Sequence, residues 1–159
     1  MTSPGPRSTT APTRPNTAGD AALFDAVAVE HGAIYGYGLV SAHSTPEDNA
    51  LVATAMAEHR ARREAAIAML EARSVTPPLP AAGYQLPAPL NDPTDAANLA
   101  IRMEEDASVA WRAVLEQASS DKDRSFAVTA LTQTAVTAAT WRAGLNVAPV
   151  TVPFPGGGE

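Results

Sequence analysis

Three glutamates fall among apolar neighbours, and they are the residues best equipped for chemistry in this chain. Glu30 lies in VAVEHGAIYGYG, Glu58 in TAMAEHRARR and Glu104 in AIRMEEDASVAW. A carboxylate on an inner helix face is costly unless a cation, a metal or hydrogen-bond donors meet it. Two kinds of partner are at hand. Glu30, Glu58, Glu104 and His59 together offer the oxygen and imidazole ligands that suit iron or manganese. Alternatively Arg62, one turn after Glu58 on the same face, forms an ion-pair cluster with Glu30 and Glu58, joined by His59 and Tyr37. An arginine at that position repels a metal cation, so the two readings compete.

Other chemistries lack their residues. With no cysteine, thiolate ligation, disulfides and thiol catalysis are excluded. None of the serines has a matching histidine and acid, so no catalytic residue is assigned. Gly156 to Gly158 are followed by neither lysine nor helix, and so make no phosphate loop. The net charge of −6, without a stripe of Lys and Arg interleaved with aromatics, argues against nucleic acid and anionic membranes as partners.

The elements that must position these groups are helices. At 159 residues and 45% hydrophobic content the chain suits one domain. Only 5% aromatics means a core of alanine and aliphatic side chains, which favours closely approaching helices. Residues 1–19, rich in Thr, Pro, Ser and Gly, read as a disordered tail without the apolar run of a signal peptide, and a cytoplasmic protein is expected. Helix 1 is expected over 20–43, with Leu23, Val27, Glu30, Ile34 and Gly38 in one stripe and Tyr37 beside it. Thr45-Pro46 caps helix 2 over 46–73. Its inner stripe is read as Leu51, Ala55, Glu58, Arg62, Ala65 and Met69, with Val52, His59, Ala66 and Leu70 on the flank. Asp92-Pro93 opens helix 3 over 93–119. Its buried face includes Ala100, Ala107, Trp111 and Val114, with Glu104 and Asp106 on opposite margins. Ser120 opens helix 4 over 122–145, with Phe126, Ala130, Gln133, Thr137 and Trp141 inward. Both tryptophans are read as core. Val150, Val152 and Phe154 are expected to fold back as a clip, and residues 156–159 to stay loose.

Between the helical hairpins lies Ser74 to Asp92, SVTPPLPAAGYQLPAPLND, with five prolines. Running extended at roughly 3.1 Å per residue, such a segment spans about 50 to 60 Å. A helix of this size is only about 40 Å long. The connector therefore returns the chain to the end of the bundle it left, making helices 2 and 3 parallel. This all-α arrangement over residues 20–155 resembles the ferritin-like four-helix bundle with one long crossover. The alanine-rich hairpins, Glu58-His59-x-x-Arg62 and the late TVPFPG resemble the bacterial family called domain of unknown function 4439.

The ferritin-like resemblance implies a di-iron centre built from one Glu on each of two helices and Glu-x-x-His on the other two. Helix 1 supplies Glu30. Helix 2 supplies Glu58, but Ala61 stands where the histidine belongs. Helix 3 supplies Glu104, while helix 4 offers Gln133, Thr134 and Thr137 in place of the motif. The reading is a bundle with a degenerate di-iron site and no cofactor, acting as a non-enzymatic binding or assembly module. Its alternative is an iron- or manganese-binding protein with oxidase or storage activity. A homodimer is expected, through an outer face marked by Ile67 and Ile101.

Overall fold

A computed structural model describes residues 11–158. Helix α1 spans Ala18–His43 and α2 spans Asn49–Glu71, preceded by a 3-10 turn at Pro46–Asp48. Helix α3 spans Pro93–Gln117 and α4 spans Asp121–Gly144. The described residues contain no strand. Among them no helix is long and apolar enough to cross a membrane.

The helix starts follow local chemistry. Asp92 accepts from the Asp95 amide and Ser120 from the Asp123 amide, each satisfying a donor that the first turn leaves free. Asp123 does not close a capping box, because its carboxylate is drawn to Arg73 at 2.7 Å. At α2, Thr45 bonds the Asp48 carboxylate instead of a backbone amide, and Pro46 opens a 3-10 turn before the α-helix proper.

Paired contacts fix the directions. Asp20 meets Arg73, and Glu30 meets His59 and Arg62, so α1 and α2 are antiparallel. Tyr37 meets Glu104 and Glu30 meets Trp111, so α3 also opposes α1. Helices α2 and α3 are therefore parallel, as the length of the connector requires. Ser108 bonding Thr134 and Arg142 bonding Glu105 set α4 antiparallel to α3.

The connector runs along the bundle. Val75 packs against one apolar cluster, whereas Leu86 and Leu90 pack against the other. Between them the Pro78 carbonyl lies 3.1 Å from Nε2 of His31, and Tyr84 packs on Tyr35 with ring planes tilted by 45° and centroids 5.2 Å apart.

Two apolar clusters fill the bundle. One gathers Leu23, Val27, Leu70 and Trp111; the other gathers Tyr37, Val40, Val52 and Trp141. Burial of such side chains is worth about 1.5–3 kcal/mol each. The polar groups described below lie between the two clusters. Ile67 and Ile101, expected on an outer face, are half-buried, one against each cluster. The C-terminal segment crosses α3 and α4 with its sides reversed from expectation. Phe154 is 59% exposed and Val150 and Val152 also face outward, while Gly156 and Gly157 dock and Gly158 stays exposed. Gly156, at φ +72°, lies so close to α3 that a Cβ there would collide with the Ser108 carbonyl, so the backbone conformation and the approach both require glycine.

Candidate functional site

On α2 the inward face is Val52, Ala55, His59, Arg62, Ala66 and Leu70. It keeps Ala55 and Arg62 of the expected inner stripe and takes the expected flank, Val52, His59, Ala66 and Leu70, in place of Leu51, Glu58, Ala65 and Met69. The rotation matters chemically. His59 is fully buried, whereas the Glu58 side chain is 31% exposed and its carboxylate is 3.7 Å from Arg62 Nη1. The expected buried Glu58–Arg62 pair is thus a loose contact at the rim, of the kind worth under about 1 kcal/mol.

The centre is built by Glu30 of α1, His59 and Arg62 of α2, and Glu104 of α3. His59 lies between the carboxylates, with Nδ1 2.6 Å from Glu30 Oε2 and Nε2 3.1 Å from Glu104 Oε1. Arg62 Nε donates to Glu30 Oε1 at 3.0 Å, and the Trp111 indole donates to the same oxygen at 2.7 Å. Tyr37 donates to Glu104 Oε1 at 2.5 Å and accepts from the Trp141 indole at 3.1 Å. Gln133 accepts from Arg62 Nη1 at 3.2 Å. An unbroken path of hydrogen bonds therefore joins Trp141, Tyr37, Glu104, His59, Glu30 and Trp111.

The distances decide the charge on His59. Arg62 Nη2 approaches Nδ1 to 2.8 Å, but Glu30 Oε2 is closer. A neutral ring accepting from Arg62 would set two lone pairs against each other at the shorter contact. An imidazolium donates to both carboxylates and leaves Arg62 Nη2 beside a second donor, held there by the bond of Arg62 Nε to the shared Glu30 carboxylate. Burial alone pushes the His59 ring down, and the hydrogen bonds and charges of Glu104 and Glu30 more than reverse this, leaving it above its ordinary value. Burial pushes the Glu30 carboxyl up; bonding and attraction by His59, then Arg62 and Trp111, bring it below the usual range. Tyr37 is raised by burial and by the Glu104 carboxylate, so it keeps its proton to donate to Glu104 while its oxygen accepts from Trp141. Two carboxylates and two cations balance, as a buried cluster requires.

The sequence-predicted residues divide accordingly. Glu30, His59, Arg62, Tyr37 and Glu104 meet, and Glu58 stays at the rim. Asp106 is exposed. His43 turns back to the Leu39 carbonyl of its own helix at 3.0 Å. The sequence marks Trp111 and Trp141 as core and Gln133 as an inner-face residue in place of the Glu-x-x-His motif, without their hydrogen-bonding roles. The signal lay in the indole itself, since a buried N–H must find an acceptor.

A di-metal centre needs carboxylate lone pairs free to coordinate. Here both oxygens of Glu30 accept from protein donors and His59 spends both nitrogens on carboxylates. Glu104 Oε2 is the one buried side-chain oxygen without a partner among the described residues. The described residues contain no group of three or more His, Cys, Asp or Glu side chains placed to hold an ion. With a guanidinium in the middle, this donor set does not fit two metals.

The family model of a domain of unknown function, DUF4439, matches residues 22–159, and the chain belongs to that family. It is similar to the crystal structure of a conserved hypothetical protein, rv2844, from Mycobacterium tuberculosis. The two share 55% sequence identity with a TM-score of 0.79, over 82% of this chain and 98% of the other. No curated protein matches it.

Proposed function

We propose that the chain is a ferritin-like bundle in which protein cations have taken the place of metal ions, and that it works as a non-enzymatic binding or assembly module, homodimeric and cytoplasmic. The observation that carries this reading is His59 lying between Glu30 and Glu104, with Arg62 on the outer oxygen of Glu30. Those cations supply the charge that the inherited carboxylates need, so the scaffold is held without a metal and is free to offer its surface. No residue is assigned to catalysis.

Metal content after purification without chelators, with melting in added iron, manganese or zinc, tests the reading. A saturating ligand at a hundred times its Kd adds about 2.7 kcal/mol of stability. That is a rise of several degrees for a domain of this size, at about 2–4 °C per kcal/mol. The expected result is substoichiometric metal and an unchanged Tm. A second reading, one metal ion taken up at Glu104 with its neighbours rearranged around it, is favoured by the unpartnered Glu104 Oε2. Stoichiometric metal that raises Tm and is lost in Glu104→Gln would establish that reading instead.

A further inference from the structure

Nine large hydrophobic side chains stand exposed among the described residues, and seven of them lie on one side of the bundle. Val128 and Val136 are on α4, Val109 is on the adjoining edge of α3, and Val147, Val150, Val152 and Phe154 follow α4 in the C-terminal segment. Only Tyr35 and Leu79 are elsewhere. Helix α4 has no charged residue from Ser125 to Trp141, so its exposed face is uncharged as well.

The threonines on that face add to its apolar character. The hydroxyls of Thr129, Thr132 and Thr140 each donate to the carbonyl four residues earlier, at 3.0, 2.8 and 2.9 Å. A hydroxyl turned back onto its own helix is not seeking an external partner and leaves the methyl to face outward. With Val128 and Val136 they form a β-branched surface that has few rotamers to lose on contact.

We propose that this face is the contact between two copies of the chain, packed α4 against α4 about a two-fold axis. The inference rests on the assembly reading above and specifies its surface. Charge argues for a second copy: each chain carries −6, so self-association must use a face that does not set acid against acid, and α4 provides it. A two-fold axis perpendicular to α4 runs the two helices antiparallel, which sets each helix-dipole end beside the opposite end of the partner's helix.

Size argues that the C-terminal segment takes part. A helix of 24 residues is about 36 Å long and 10 Å across, which gives roughly 360 Å² for one face. A stable contact takes about 800 Å² from each partner. The segment lies beside α4 in the groove lined by Ala135 and Ala138 and widens the surface that α4 alone presents. Phe154 is then the aromatic anchor and the docked glycines hold it in place.

Light scattering of the full chain across a range of micromolar concentrations tests this, with metal content measured on the same samples. The wild type is expected at twice 16.4 kDa. Val136→Glu and Phe154→Ser each change two symmetric positions, and each is expected to weaken the dimer by about a hundredfold. Leu79→Glu, on the connector, should leave it intact, and the helical circular dichroism of all three variants should match the wild type. A wild-type monomer, open-ended association, or a dimer indifferent to Val136→Glu and Phe154→Ser overturns the proposed contact. Bound metal at full stoichiometry overturns the metal-free reading and leaves the mass measurement standing by itself.

Discussion

Replacing Glu30 by glutamine removes one charge while almost preserving shape, so its cost measures the buried cluster. The glutamine side chain of the Glu30→Gln variant still offers an oxygen to the Trp111 indole and Arg62 Nε, at 2.7 and 3.0 Å from the native oxygen. Its amide nitrogen, however, turns a donor toward His59 Nδ1 where an acceptor stood at 2.6 Å. Two buried cations then share the single carboxylate of Glu104. Breaking a buried pair in this way costs about 3–5 kcal/mol. At about 2–4 °C per kcal/mol, Tm should fall by roughly 6 to 20 °C. Glu58→Gln touches Arg62 only at 3.7 Å from a part-exposed site and should cost less than about 1 kcal/mol. Adding Arg62→Met to Glu30→Gln restores charge balance while keeping the Trp111 acceptor, and should recover at least half of the loss. Urea titration of the four proteins at pH 6 decides the matter. Equal losses from Glu30→Gln and Glu58→Gln, or no recovery in the double variant, would refute the charge-balance argument.

The pH dependence of stability should show a maximum between about 4.5 and 6.5, the ordinary values of a glutamate and a histidine. His59 is raised in the fold, so its contribution is complete below 6.5 and lost as pH climbs through the folded value. Glu30 is lowered, so its contribution is complete above 4.5 and lost as pH falls through its folded value. Urea midpoints across pH 3 to 9 check both limbs, and the alkaline limb should flatten in His59→Gln. Gly156→Ala should release the C-terminal segment from α3, because the added Cβ meets the Ser108 backbone in a left-handed conformation. Limited proteolysis should then cut near Phe154 faster, while global Tm shifts little. Ser120→Ala should cost about 1 kcal/mol by removing the cap on the Asp123 amide, readable as a lower urea midpoint.

The helix boundaries were legible because caps and prolines announce them, at Asp92-Pro93 and at Ser120. The parallel course of α2 and α3 followed from the reach of the connector alone. The rotation of α2 was not legible. Ala53, Ala55, Ala57, Ala61, Ala65 and Ala66 spread small apolar residues round the helix, so two adjacent stripes are about equally apolar and the pattern does not choose between Glu58 and His59. Tertiary contact broke the tie, since the carboxylates of Glu30 and Glu104 are met by an imidazole that bonds both. The C-terminal segment failed for another reason. Its valines and Phe154 suggested burial by type, whereas close approach to α3 selected glycine, which no hydrophobicity count registers.

The connector joins two hairpins whose buried charges do not cancel separately. The α1–α2 hairpin brings one carboxylate, Glu30, and two cations, His59 and Arg62; the α3–α4 hairpin brings Glu104. Docking the two hairpins therefore completes the charge balance of the centre together with its apolar packing, and the crossover holds them at high mutual concentration for that step.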